Sequence, residues 1–238
     1  MPLQTVEPQR LYRQIAEQLR ALITSGEFQP GSRLPAERDL ARQLGVSRPS
    51  VREALIALEV EGWVEVRTGS GVYVLARPHR PRRTDRKVPA NEWGPLELIR
   101  ARRVIEGEIA SMAAVQAKRK DIDAIGKAID LMRKDTDRGV APLDGDRAFH
   151  TAIAQASGNV VLLETVQTFW DARHGPLFER LGDYFESVPS WRKAIVEHES
   201  VFDAIRTHDG DAARAAMQQH MDKSHSRFSA SWRRANQS

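Results

Sequence analysis

Apolar positions recur at helical spacing along most of the chain, beginning with QRLYRQIAEQLRALITS at residues 9–25. Leu11, Ile15, Leu19, Leu22 and Ile23 fall on one face of an amphipathic helix, and Gly26 follows as a stop. After FQPGSRL, Pro35 opens a shorter helix, AERDLARQL, which Gly45 ends; Ser47 is then placed to N-cap a third helix running to Glu61. Two helices joined by Leu-Gly-Val-Ser form a helix-turn-helix pattern. The period changes at WVEVRTGSGVYVL, where two β-rich runs flank a glycine-bearing turn and predict a hairpin. Three helices and a hairpin predict a winged helix over residues 1–76.

The stretch ARPHRPRRTDRKVPANEW carries three prolines, five arginines and a lysine with almost no apolar content, so a linker is expected over residues 77–93. Helical period then returns at 95–118, 121–138, 143–157, 159–182, 188–208 and 210–234, punctuated by Gly139, Pro142, Gly158, Pro189 and Gly210. Residues 94–238 therefore read as an all-α bundle, and the chain as mainly α.

Composition narrows this picture. With 238 residues, 41% of them apolar, the chain can bury a substantial core. The first residues lack an apolar signal-like run and no stretch is long and apolar enough to span a bilayer, so neither secretion nor a membrane partner is expected. The absence of cysteine fits a reducing cytoplasm and leaves only histidine and carboxylate for any metal. The net charge of +4 is uneven: residues 1–87 hold 15 Lys+Arg against 10 Asp+Glu, and residues 88–238 hold 21 against 22. A polyanionic partner is thus expected for the first third alone.

Nucleic-acid recognition needs cations for phosphates and donors for base edges, carried on an element that fits a groove. The third helix has both: Ser47, Arg48, Ser50 and Arg52 occupy its first turns, whereas Val51, Leu55 and Leu58 share the inward face. Arg38, on the preceding helix, is in reach of a phosphate or base, and Thr68 and Gly69 at the hairpin tip are placed to approach the minor groove or backbone. A solvated arginine face would give the same pattern. The run LPAERDLARQLGVSRPSVREALIALEVEGWVEVRTGSGVYV, however, resembles the DNA-binding domain of the GntR family of bacterial transcription regulators, across residues 10–76. The resemblance implies operator contacts at Arg38, Ser47, Arg48, Ser50, Arg52 and Gly69, with guanine or phosphate contacts at Arg48 and Arg52. At Pro49 the chain lacks both a backbone N–H and a polar side chain, so any donor that relatives carry there is missing.

In the helical region three histidines fall on apolar stripes. His198 lines up with Trp191, Ala194, Ile195, Val201, Phe202 and Ile205, and His220 with Ala213, Ala216, Met217, Ser224 and Phe228. In DRAFH, Asp146 and His150 are four positions apart on a face shared with Phe149 and Ile153. His79, His174, His208 and His225 fall elsewhere. One histidine on an apolar face is ordinarily a hydrogen-bonded core residue. Three on separate helices, with an aspartate one turn away, supply an Asp-His-His-His set suited to Zn, Ni, Mn or Fe, with open positions for a ligand carboxylate or water. The segments RARRVIEGEIASMAA, DRAFHTAIAQASGN and EHESVFDAIRTHDGDAARAAMQQHM resemble the all-helical FCD effector domain of the FadR branch of that family, across residues 96–230. The resemblance implies a divalent metal on Asp146, His150, His198 and His220, and disfavours an acyl-CoA effector, since the acyl-CoA-responsive type lacks such a set.

Arg102 shares a stripe with Leu98, Ile105, Ile109 and Met112, and Arg173 with Val166, Phe169, Trp170 and Leu177. A buried guanidinium needs an anion, and Glu106, Glu108, Glu164 or Asp171 are candidate internal partners. The resemblance turns Arg102 toward an effector, so a carboxylate bound jointly by Arg102 and the metal is expected, while Arg173 is left between effector and internal partner. Asn159 matches a family pocket position, yet following Ser-Gly it also reads as an N-cap.

These residues favour a homodimeric regulator, a repressor, whose winged helices read a pseudo-palindromic double-stranded operator and whose helical part binds a small organic acid. FWDARHGPLFERL, followed by Trp191 and the Glu197-His198 pair, resembles regulators of hexuronate use and makes a sugar acid the expected effector. Two alternatives stand beside this: a regulator for which the metal itself is the signal, and a metallohydrolase fused to a DNA-binding head. The hydrolase lacks an HExxH-type arrangement, with only Glu108 and Glu199 unassigned. Arg102 speaks against the metal as sole signal.

Overall fold

A computed structural model describes residues 10–76 and 92–230. The first part comprises α1 (Leu11–Thr24), α2 (Glu37–Leu44), α3 (Arg48–Val60) and a hairpin of β1 (Val64–Arg67) and β2 (Gly71–Val74). Gly45 closes α2 in the left-handed conformation at φ +65°, and the Ser47 hydroxyl accepts the Ser50 N–H as the N-cap of α3. The hairpin register pairs Val64 with Val74 and Val66 with Val72, so four valines bury one face while Glu65 and Arg67 point out. The inward face of α1 is rotated from the one expected. Ile15 and Leu19 are buried as expected, but Leu11 and Leu22 are 48% and 40% exposed, and Tyr12 and Ala16 are buried in their place. Tyr12 belongs inside because its hydroxyl finds a buried acceptor, the Glu92 carbonyl at 3.0 Å.

The second part is a bundle of α4 (Pro95–Gln116), α5 (Arg119–Asp137), α6 (Leu143–Ala156), α7 (Val160–Ala172), α8 (Pro176–Phe185), α9 (Val188–Arg206) and α10 (Gly210–Phe228). Helix α10 lies along α4 and α9, and α5 packs on α6 and α9. The single helix expected over 159–182 is two, because Pro176 cannot donate to the preceding turn and instead takes the N-terminus of α8 after Gly175. Among the described residues no helix is long and apolar enough to cross a membrane.

Most of the expected linker, residues 77–91, lies outside the described residues, as does His79. Its last two positions are not linker-like: the Glu92 carboxylate accepts the Leu177 N–H at 3.0 Å, and the Trp93 ring meets Phe169 edge-on. The two parts share a seam in which α3 faces α4, α8 and α10. Glu53 accepts the Leu96 N–H at 2.6 Å, and Glu59 holds Arg180 at 3.0 Å and the Tyr184 hydroxyl at 2.7 Å. Arg52 donates to the Phe228 carbonyl at 3.0 Å.

Candidate metal centre, acid pocket and DNA-reading face

Helices α6, α9 and α10 each turn one histidine of an apolar stripe into the bundle. One ring nitrogen from each of His150, His198 and His220 lies within 4.8 Å of the others, and His198 is fully buried. Asp146, one turn before His150, places Oδ1 3.1 Å from His198 Nε2 and 3.4 Å from His150 Nε2. Ligand atoms about 2.0–2.2 Å from one ion stand roughly 3.0–3.5 Å apart at neighbouring positions, so these separations suit a shared cation. Asp146 Oδ1 and both ring nitrogens of His150 and of His198 are buried without a hydrogen bond of good geometry. Buried polar atoms are ordinarily satisfied, so the cluster fits a divalent metal.

Two carboxylates orient the rings from behind. Glu197 Oε2 lies 2.9 Å from His220 Nδ1, which turns Nε2 toward the cluster, and Glu106 Oε2 lies 2.5 Å from His150 Nδ1. Burial works to raise both carboxyls, but Arg102 and His150 hold Glu106 down to about 2, and His220 and Arg227 hold Glu197 down to about 2. Asp146 is likewise held well below the usual carboxylate range, its burial outweighed by His150, His198 and Arg173. Burial and the neighbouring His198 push His220 down to about 3, leaving it a neutral imidazole able to act as a ligand. Glu197 and the placement of Glu106 against His150 escape the one-dimensional pattern; the one signal for Glu197 is its adjacency to His198.

Beside the cluster is an inner cavity of about 30 Å³, lined by Arg102, Asp146, His150, Arg173, Glu186 and Arg227 among others. The expected partners of the two arginines are partly corrected. Arg102 does pair internally, donating from Nε to Glu106 Oε1 at 2.5 Å, but its buried Nη2 is without a hydrogen bond. Arg173 uses none of the four acids proposed for it. It caps α7, and its Nη1 donates to Asp146 Oδ2 at 2.9 Å and Nη2 to Glu186 Oε1 at 2.8 Å. Sequence spacing missed these because both partners come from other elements. Asn159 takes no part in the pocket: it is exposed at the start of α7, where Oδ1 accepts the Val161 and Leu162 N–H groups. Glu108 and Glu199 form ion pairs with Arg214 and Arg133, away from the cluster.

At the other end, a groove of about 380 Å³ runs between α2, the start of α3 and the hairpin tip, lined by Arg33, Arg38, Arg48, Gly69 and Ser70 among others. The Arg38 side chain is 80% exposed and Arg48 is 54% exposed. Ser47 and Ser50 pair through their hydroxyls at 2.8 Å, and Thr68 and Gly69 form the tip, Gly69 at φ +78° with open space around it. Arg33 was missed, since nothing in a loop pattern singles it out. The guanidinium lies where a Cβ on Gly71 would come within 2.5 Å of its Nε. Arg52 departs from the outward set. It is 2% exposed, and its Nε and Nη2 donate to Glu37 at 2.8 and 2.7 Å, because position 52 faces α2 and α10 rather than the groove.

Residues 11–74 match the bacterial regulatory proteins of the gntR family, and residues 97–223 match the FCD domain. The chain is 36% identical over 224 residues to the Exu regulon transcriptional regulator of Escherichia coli K12, covering 92% of this chain and 85% of that protein. It is 36% identical over 219 residues to the Uxu operon transcriptional regulator of the same organism, covering 90% and 85%. Escherichia coli McbR/YncC, a solved structure, shares the fold with 22% identity and a TM-score of 0.50, over 90% of this chain and 95% of that one.

Proposed function

The chain belongs to the gntR family of bacterial regulatory proteins and carries an FCD domain, which makes it a DNA-binding transcription regulator and not an enzyme; from that premise we propose that it is a repressor released by a small organic acid bound beside a metal ion. The observation that carries this is the convergence, around one inner cavity, of the free Arg102 Nη2, the Arg173 guanidinium and the Asp146–histidine cluster. Asp146, His150, His198 and His220 would hold the ion, which supplies a Lewis-acidic point for a ligand oxygen. Around the cavity the guanidiniums of Arg102, Arg173 and Arg227 face four carboxylates, Glu106, Asp146, Glu186 and Glu197. That leaves one negative charge in excess, which a divalent cation reverses, so the loaded pocket attracts an anion.

Arg102 Nη2 would donate to the acid's carboxylate and the cation–π contact of its guanidinium with Trp170, at 4.9 Å, would fix its direction. The relatives named for the Exu regulon and Uxu operon support a hexuronate as the acid. On the DNA side Arg38, Ser47, Arg48, Ser50, Thr68 and Gly69 would meet a pseudo-palindromic operator as a homodimer in the cytoplasm. Arg52 is assigned instead to the joint between the two parts.

Titrating operator binding with metal alone, with D-glucuronate or D-galacturonate alone, and with both tests the reading. Release is expected only with both, and Arg102→Ala should abolish it while leaving acid-free operator binding intact. Release by metal alone would make the metal the signal, although a free donor in Arg102 has no role in that scheme.

A further inference from the structure

The inner cavity of about 30 Å³ has room for a water molecule but not for a sugar acid. An outer cavity of about 750 Å³ adjoins it, a size suited to small-molecule ligands, and Phe185, Glu186, Ser190 and Arg227 line both. The partition between the two is therefore a short set of side chains, three at the corner between α8 and α9 and Arg227 on α10. Within it, Glu186 reaches inward and occupies Arg173 Nη2 at 2.8 Å. That carboxylate stands where an acid's carboxylate would stand, on the guanidinium whose other Nη donates to the metal-cluster Asp146 at 2.9 Å.

We propose that Glu186 is an internal occupant of the effector pocket, which the carboxylate of the incoming acid replaces on Arg173. This rests on the acid-responsive reading above and adds how the pocket opens. Exchanging one carboxylate for another leaves the charge around Arg173 unchanged, so an acid enters where an uncharged sugar does not. The released Glu186 side chain turns toward the outer cavity, where Lys193 and Lys223 supply cations. Burial and the nearby Asp146 charge raise the Glu186 carboxyl, and the Arg173 guanidinium opposes them.

The same corner meets the DNA-reading part. The ring of Phe185, next to Glu186, lies 5.7 Å from the Arg52 guanidinium, and Arg52 joins α3 to Glu37 of α2 and to the carbonyl of Phe228. Arg180 and Tyr184, six and two residues earlier on α8, hold Glu59 of α3, whose Oε1 also accepts the Val66 N–H of the hairpin at 2.9 Å. Moving Glu186 outward thus acts on contacts that set the placement of α3 and the wing, which is the differential contact that coupling between two sites requires.

Calorimetric titration of D-glucuronate and D-galacturonate into metal-loaded full-length protein tests the exchange, with D-glucose as the uncharged control. Glu186→Gln is expected to bind acid roughly ten-fold tighter than the wild type if Glu186 fills the site about nine-tenths of the time. Without acid, its operator affinity should shift in the direction that acid shifts the wild type. Glu186→Asp keeps the charge with a shorter reach and should tighten acid binding by a smaller factor, which covers a misfolded Gln variant. If the wild type binds acid, Arg173→Ala loses it, and both Glu186 variants bind no tighter than the wild type, the exchange is wrong and the acid-responsive reading stands. If neither acid binds the wild type or the Glu186 variants, both are overturned.

Discussion

Glu53 shows how one residue can tie stability to pH at the seam. Its buried carboxylate accepts the Leu96 N–H at the start of α4, and burial, against that hydrogen bond, pushes its pKa from 4.5 to about 7. Unfolded, the group ionises near 4.5; folded, it keeps its proton to about 7, so between these values the unfolded chain binds fewer protons and stability falls as pH rises. The cost is complete above that window and absent below it. Glu53→Gln keeps an acceptor oxygen without the charge. It should raise unfolding free energy at about pH 8 by as much as about 3 kcal/mol and change little near pH 4.5, as denaturant melts at the two pH values would show. An equal gain at both would mean that ionisation is not the cause. At this scale the histidine stripes were legible because burying imidazole is costly enough to stand out from an apolar pattern. Glu186 was not, since an exposed-looking acid at a helix end has no signature until its partner on another helix is known.

Between elements, close approach decides the sign of a substitution. Gly126 in α5 and Gly145 in α6 are both inside helices, where alanine is ordinarily favoured by about 0.5–1 kcal/mol. A Cβ on Gly126 would meet only Phe202 at 3.5 Å, so Gly126→Ala should stabilise by that amount. A Cβ on Gly145 would come within 2.9 Å of the Met132 backbone nitrogen and 3.1 Å of the Ala128 carbonyl oxygen, groups that cannot swing away. Gly145→Ala should instead destabilise by about 1–3 kcal/mol. It should also weaken metal binding, because it pushes α6, with Asp146 and His150, off α5. Thermal melts of the two variants should therefore move in opposite directions, and a shared direction would mean that helix propensity outweighs the contact. The break between α7 and α8 follows the same logic: Gly175–Pro176 was written in the chain, but where the corner turns, and that it carries Arg173, depended on what packs beneath it.

For the whole molecule, a cation on Asp146, His150, His198 and His220 would tie α6, α9 and α10 together, so metal should act on global stability. Chelation is expected to lower unfolding free energy by about 4 kcal/mol where free metal had exceeded its Kd a thousand-fold, roughly 8–16 °C in Tm for a chain of this size. His198→Ala should melt at the same temperature with and without chelator, and a chelator-dependent shift in that variant would place the ion elsewhere. What the sequence by itself determined was the mainly α architecture, the winged helix, the polar start of α3 and the histidine positions. Each of these rests on local propensity, caps or the helical period, which act within a few residues. Only the tertiary structure decided that Arg52 turns inward to Glu37 and Phe228, that Arg173 holds Asp146 and Glu186, and that Asn159 stays outside the pocket. Those pairings join residues far apart in the chain, and a charge is satisfied by whichever opposite charge the packing brings within about 3 Å of it, which no spacing along the chain encodes.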